Sequence, residues 1–356
     1  MQKRINSLQL LRAVAAVMVV LLHSQYRAFH YQGVLGLPVS FLNSTPEVRS
    51  FGASGVDIFF VISGVVMAYV TNRKSGVFSH IPVFLAKRFA RIYPVYWFYL
   101  TICIVFLLLR PEWFFNWAFE LRGAVYSYFL IPYTPEVKLA PLLHVGWTLW
   151  YEVYFYLLVA AGLLLRRNVF LVLLGAYFAA CCLSADWLRA FGAFGSLASN
   201  PILFEFYAGF LLGVLYVSGK KIPTGVALLM LASGIALYVI WIAGVVKFPL
   251  GIAAIFLVGG VLFIEKNKGM RLPSWVMSLG DSSYTLYLSH MFVIGGVSKL
   301  LYLSGLAGQM SADFFIVVLV AASVIAAHVL YLTVEKPMNS FLKRKIGKKF
   351  SQAYLR

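Results

Sequence analysis

LRAVAAVMVVLLHS, residues 11–24, is the core of an apolar run of membrane-span length, and it carries Arg12 and His23. About 20 apolar residues cross the hydrocarbon core of a bilayer as a helix. An ionisable group placed there is costly and usually marks function. Comparable runs recur along all 356 residues, of which 62% are hydrophobic and 12% charged. A soluble domain is closer to half apolar and a quarter charged. The composition therefore predicts an all-α, polytopic membrane helical bundle of about ten transmembrane helices. Spans are expected at roughly 8–27, 55–71, 92–110, 147–165, 168–185, 202–218, 223–244, 248–265, 284–304 and 312–334. No internal repeat or low-complexity segment interrupts them.

The net charge of +18 reads as loop charge on a membrane protein rather than as a nucleic-acid surface. Of the 30 Lys and Arg residues, 21 fall in alternate loops and the tail, from Lys3 and Arg4 through Arg73, Arg88, Arg166, Lys220 and Lys266 to Arg356. Seven occupy the opposite side: Arg27, Arg49, Arg110, Arg122, Lys138, Arg189 and Lys247. This bias predicts that both termini are cytoplasmic. The apolar run after MQKRINS is followed by QYRAFHYQ, not by a small-residue cleavage site, so it reads as a retained first span. Cys103, Cys181 and Cys182 have no metal or redox spacing and read as packing or lipid-facing residues. Residues 1–340 are expected to form one transmembrane domain, followed by a basic cytoplasmic tail, 341–356.

Segments 28–54 and 111–146, the latter including PEWFFNWAFE, are long outer loops rich in Tyr, Pro and Phe. They suit interfacial anchoring or a platform on which sugar rings stack. NRKSGVFSHIPVFLAKRFAR, residues 72–91, looks amphipathic and suited to lying along the cytoplasmic surface.

Arg12 and His23 are eleven positions apart. That is three helical turns, about 16 Å of rise, so both return to nearly one helix face at different depths. The bland readings are snorkelling for Arg12 and an interfacial histidine for His23. GVDIFFVISG, residues 55–64, places Asp57 near the expected depth of His23, where a carboxylate could orient the imidazole. The alternative is an acid favoured at a helix N-terminus. KRFARIYP, residues 87–94, puts Arg88 and Arg91 on one cytoplasmic face. Arginine suits bidentate phosphate binding, though positive-inside charge explains an isolated pair as well. GWTLWYEVYFYLL, residues 146–158, carries Glu152 into an aromatic span, where it needs a partner or water. SYTLYLSHMFV, residues 283–293, sets His290 about two turns into the ninth span, and VEKP ends the last span with Glu335.

Taken together and in this order, LRAVAAVMVVLLH, GVDIFFVISG, KRFARIYP, GWTLWYEVYFYLL, SYTLYLSH and VEKP resemble the acyltransferase-3 family of integral membrane O-acyltransferases. The chain most resembles its O-antigen and exopolysaccharide acetyltransferase branch. The resemblance implies transfer of acetyl, or another short acyl group, from cytoplasmic acyl-CoA to a sugar hydroxyl of a surface polysaccharide on the outer face of the inner membrane. It implies His23 as the principal catalytic residue with Arg12 as essential partner, and Arg88 and Arg91 on the acyl-CoA side. Asp57 and Glu152 join the catalytic candidates, and Arg12 and His290 join the donor-binding ones. A thioester is already activated, so no metal is expected, and histidine suits proton removal from a hydroxyl near neutral pH. Acetyl-CoA, a sugar or polysaccharide acceptor and the bilayer are the expected partners, with no nucleic acid. The rival readings are a transporter or flippase, a sensor or assembly scaffold, and an acyltransferase acting on a lipid, peptidoglycan or a small molecule.

Overall fold

The computed structural model describes residues 4–35, 41–72, 80–110, 119–133 and 141–353. Regular structure among them is helical, without strands. The first helices are α1 (Asn6–Leu35), α2 (Pro46–Ser50), α3 (Ser54–Thr71), α4 (His80–Leu109) and α5 (Leu121–Phe129). Next come α6 (Trp147–Gly162), α7 (Arg167–Leu183), α8 (Ala185–Arg189), α9 (Gly192–Ala198) and α10 (Leu203–Val217). The last are α11 (Thr224–Ile242), α12 (Gly251–Lys268), α13 (Ser274–Leu303), α14 (Ala312–Leu330) and α15 (Lys336–Ala353).

Every predicted span coincides with a helix. Among the described residues, seven helical stretches are long and apolar enough to cross a membrane: Asn6–Val34, Pro46–Thr71, His80–Leu109, Gly192–Val217, Thr224–Ile242, Ser274–Leu303 and Ala312–Gly347. The expected spans at 147–165, 168–185 and 248–265 are α6, α7 and α12, of 16, 17 and 18 residues. α6 and α7 are shorter than the other spans, and α12 ends in charge at Glu265, Lys266 and Lys268. The protein is an all-α, multi-pass membrane bundle.

The boundaries differ from the hydropathy reading where polar side chains satisfy themselves inside a helix. α13 starts after Pro273, well before the expected 284, and runs through SLGDSSY. Ser282 and Ser283 donate to the carbonyls of Leu279 and Gly280 three residues back, at 3.2 and 2.8 Å, so this polar run does not break the helix. α4 passes from His80 through Pro94 to Leu109, so KRFARIYP is part of a spanning helix and not of a separate surface helix. α1 continues to Leu35, eight residues beyond the expected end at 27. Within the aromatic outer loops, 36–40, 111–118 and 134–140 lie outside the described residues, as does 73–79 of the cytoplasmic segment.

Two compact units account for the tertiary contacts. The first comprises Met1–Val65 and Ala208–Leu332. In it α1 and α13, each of 30 residues, run parallel. Arg12 bonds Ser283 and Arg27 bonds Ser298, each pair 271 residues apart in the chain, and a constant separation means a parallel register. The same register sets Gly280 against the backbone carbonyl of Gln9, an approach that leaves no room for a Cβ. Small residues of this kind let membrane helices pack backbone to backbone. Ala16, Val20, Leu286, Phe315, Ile316 and Leu319 close the core against α14, all fully buried. Gly52 and Gly55 seat the start of α3 on Met18 and Ala15.

The first turn of α1 is capped from a distance. Glu265 accepts from the backbone N–H groups of Asn6 and Ser7, both at 2.8 Å, and from the Ser7 hydroxyl at 2.5 Å. A helix N-terminus has orphan N–H groups and favours negative charge, and one carboxylate answers both demands. Lys266 donates to the carbonyls of Tyr216, in the last turn of α10, and Lys220, just beyond it, at 2.8 and 2.7 Å. Burial holds its ammonium below the usual lysine range.

The second unit comprises Val66–Tyr207 and Thr333–Arg356. α4 is its axis. Tyr96 and Trp97 donate to the carbonyls of Ser127 and Tyr128 at 3.0 and 2.7 Å, tying α5 to α4. A π-helical turn, Tyr331–Glu335, leads into α15 and leaves Glu335 fully buried. Arg91 Nη1 reaches that carboxylate at 3.0 Å, and Asn339 adds a second donor at 3.2 Å.

Candidate active site

In the first unit the parallel register of α1 and α13 carries Arg12 and His23 against two polar residues of α13. Arg12 donates through Nε and Nη2 to the one hydroxyl of Ser283, at 3.2 and 3.0 Å. One face of α1 therefore presents a half-buried guanidinium held by a neutral oxygen, and, three turns on, a half-buried imidazole.

His23 Nδ1 lies 2.9 Å from the Val19 carbonyl and 3.3 Å from His290 Nε2. His290 Nδ1 in turn lies 3.1 Å from the Leu286 carbonyl. A carbonyl oxygen only accepts, so Nδ1 carries the proton in both rings. His290 Nε2 is then a lone-pair acceptor, and His23 donates Nδ1–H towards it and Val19 together. The basic lone pair of His23 is thereby on Nε2. The rings sit 4.9 Å apart and tilted by 56°. His290 is fully buried, so the acceptor is fixed in place.

His290 is the residue whose position differs most from expectation. Because α13 begins at Ser274, His290 is at mid-helix and within reach of His23, rather than about two turns in. Asp57 lies in the first turn of α3. Gly52 docks beside Met18 and Leu22 and Gly55 beside Ala15, so Asp57 enters at the mid-height of α1, between the levels of Arg12 and His23.

The second unit brings Arg88, Arg91 and Glu152 into a different cluster. Tyr156, one turn along α6, donates its hydroxyl to Glu152. The Arg88 guanidinium sits 5.8 Å from the Tyr156 ring centroid, a cation–π arrangement. Its buried Nε has no hydrogen-bond partner among the described residues. Arg91 is anchored by Glu335. The two arginines, alike in sequence, are thus differently placed: one braced by a buried carboxylate, one leaning on an aromatic face.

A family model described as an acyltransferase domain matches residues 5–332, nearly the whole chain. The chain belongs to this acyltransferase family. It is also 32% identical over 297 residues, 81% of its own length and 90% of the relative's, to the exopolysaccharide production protein ExoZ of Rhizobium meliloti (strain 1021). No solved structure matches it.

For a membrane acyltransferase, the described residues contain no group of three His, Cys, Asp or Glu side chains suited to a metal ion. Among residues with a part in the two clusters, Ser283 and Tyr156 carry no alarm in sequence. A serine that bonds its own helix backbone and a tyrosine in an aromatic run are ordinary. Only the pairing of α1 with α13, and of α4 with α6 and α15, reveals them. Glu335 stood out as the end of the last span, and the structure sets Arg91 against it.

Proposed function

We propose that this acyltransferase moves an acetyl or other short acyl group from cytoplasmic acyl-CoA to a hydroxyl of an exopolysaccharide or related surface glycan. The reaction takes place in the inner membrane, with both termini cytoplasmic. The observation that carries the reading is His23: a histidine inside a membrane helix, held as the Nδ1–H tautomer by Val19 and His290, with its basic nitrogen fixed as Nε2. Family membership supports acyl transfer over the transporter and scaffold readings, and the likeness to an exopolysaccharide production protein supports a glycan acceptor.

In the direct route, His23 Nε2 takes the proton of the sugar hydroxyl as its oxygen attacks the thioester carbonyl. The C–S bond breaks, and the CoA thiolate recovers the proton from the imidazolium. In the two-step route, Nε2 attacks the thioester carbonyl and CoA leaves as the thiolate; the hydroxyl oxygen then takes the acyl group, and its proton passes to the freed Nε2 and on to the thiolate. Both routes put positive charge on the His23 ring. Its Nδ1–H bonds to Val19 and His290 strengthen at that moment, so His290 is an orienting partner beside Asp57. Arg12 serves the donor side of His23. Arg88 and Arg91 are assigned to the phosphates of CoA, and Asp57 and Glu152 to support of the catalytic groups.

The test compares surface polysaccharide from cells with and without the protein. Loss of one O-acyl group, restored by wild-type protein but not by His23→Ala, supports the reading. Unchanged O-acylation rejects it.

A further inference from the structure

Arg27 lies four residues beyond His23 on α1. That is one helical turn, about 6 Å further along the axis and on nearly the same face. Its Nε donates to Ser298 Oγ at 2.8 Å, and its guanidinium sits over the Tyr31 ring, 5.3 Å from the centroid. Both supports are buried. Tyr31 is itself packed against Tyr302 and Phe315, each with ring centroids 5.5 Å away. The guanidinium plane is therefore held from two sides by groups that carry no charge.

None of the described carboxylates of this unit pairs with it. Glu47 is bound to Lys247, Asp281 to Arg4, Glu265 to the start of α1, and Asp313 to the backbone of Phe41 and Leu42, while Asp57 enters lower on α1, between the levels of Arg12 and His23. A half-buried arginine in a membrane helix, with no counter-charge among the described residues, is costly unless an anion meets it. With Nε committed to Ser298, the two Nη groups form the fork that matches a carboxylate or phosphate.

Arg12 and Arg27 flank His23, each held by a serine of α13 at the same chain separation. If Arg12 is on the donor side, Arg27 is on the acceptor side. We infer that Arg27 binds an anionic group on the acceptor, so that the preferred substrate carries a carboxylate or phosphate on or next to the sugar that is acylated. This rests on His23 as the acyl-transfer centre. The reach of one helical turn is about the width of one sugar ring, which places the anion close to the reacting hydroxyl rather than on a remote part of the chain.

The experiment supplies acetyl-CoA with a radiolabelled acetyl group to the purified protein in lipid vesicles, with three acceptors of one backbone: a neutral oligosaccharide, its uronic-acid counterpart, and its sugar-phosphate counterpart. Wild type is expected to favour one or both acidic acceptors by about tenfold or more in kcat/KM, the scale of one charge-assisted contact. The arm with the higher kcat/KM identifies carboxylate or phosphate. Arg27→Gln is expected to lose that preference with the KM for acetyl-CoA unchanged, and Arg27→Lys to keep part of it. Equal use of neutral and acidic acceptors by wild type overturns the inference, as does an acidic preference that survives in Arg27→Gln. Absence of transfer to any acceptor instead overturns the acyl-transfer reading on which it rests.

Discussion

His23 Nδ1 and His290 Nε2 face each other at 3.3 Å across the parallel helices α1 and α13. The contact joins two fully helical backbones and not a loop to a helix, so neither ring is free to swing. It also settles what each nitrogen does, because each Nδ1 already faces a carbonyl one turn back on its own helix. A neutral acceptor behind the histidine proposed to react is milder than a carboxylate, and it adds no second buried charge to the membrane interior.

His290→Phe keeps the bulk and removes the acceptor. It is expected to lower kcat by about 100-fold, the scale of misaligned acid–base catalysis, with the KM for acetyl-CoA little changed. His290→Gln places an amide oxygen at a similar reach and is expected to recover most of kcat. Steady-state kinetics on the purified pair decide it. A purely structural His290 predicts equal losses in the two variants, and a donor-binding His290 predicts a raised KM.

Gly280→Ala drives a methyl group into the Gln9 carbonyl. Backbone cannot yield as a side-chain tip can, so a destabilisation of about 1–3 kcal/mol is expected. Ser283 follows on the same face, so transfer activity should fall with it. Gly295, on the same helix, has nothing within 4 Å of the position of an added Cβ. Gly295→Ala is expected to leave thermal stability equal or slightly higher, since alanine is the better helix former. Melting of both variants in one detergent makes the comparison.

Glu265→Ala leaves the first two N–H groups of α1 and the Ser7 hydroxyl without their acceptor. The expected loss is about 2–4 kcal/mol, from buried donors left unsatisfied. Hydrogen exchange should show it first in the opening turn of α1, with α14 unaffected.

Arg88 and Arg91 should separate cleanly. Arg88→Ala is expected to raise the KM for acetyl-CoA about tenfold or more, as loss of a charged contact does, without lowering thermal stability. Arg91→Ala strands Glu335, whose side chain is 1% exposed. It should cost about 2–4 kcal/mol, somewhat less than a fully buried pair because Arg91 remains partly exposed. Arg91→Ala combined with Glu335→Gln should regain stability but not the donor KM.

The helical class and the approximate place of each apolar helix were legible in the residues, because apolar runs of this length have one common solution in a bilayer. The shared face of Arg12 and His23 was legible too, from a spacing of three turns. What opposes that face was not. Helix partners in a membrane are chosen by small residues and polar contacts, whose signal in sequence is weak. Gly280 and Ser283 are two such residues inside a run that hydropathy assigns to a loop. Shifting the start of α13 by ten residues moves His290 from about two turns in to mid-helix, within reach of His23. Arg27 was counted as loop charge because α1 was expected to stop there, whereas the helix carries it onto the face of His23.

The most direct measurement is transfer of labelled acetyl from acetyl-CoA to a glycan acceptor by purified protein in lipid vesicles, wild type against His23→Ala. The account predicts transfer by wild type and a loss of about 1,000-fold or more in His23→Ala, since both routes pass through Nε2. Transfer by correctly folded His23→Ala at the wild-type rate would contradict it.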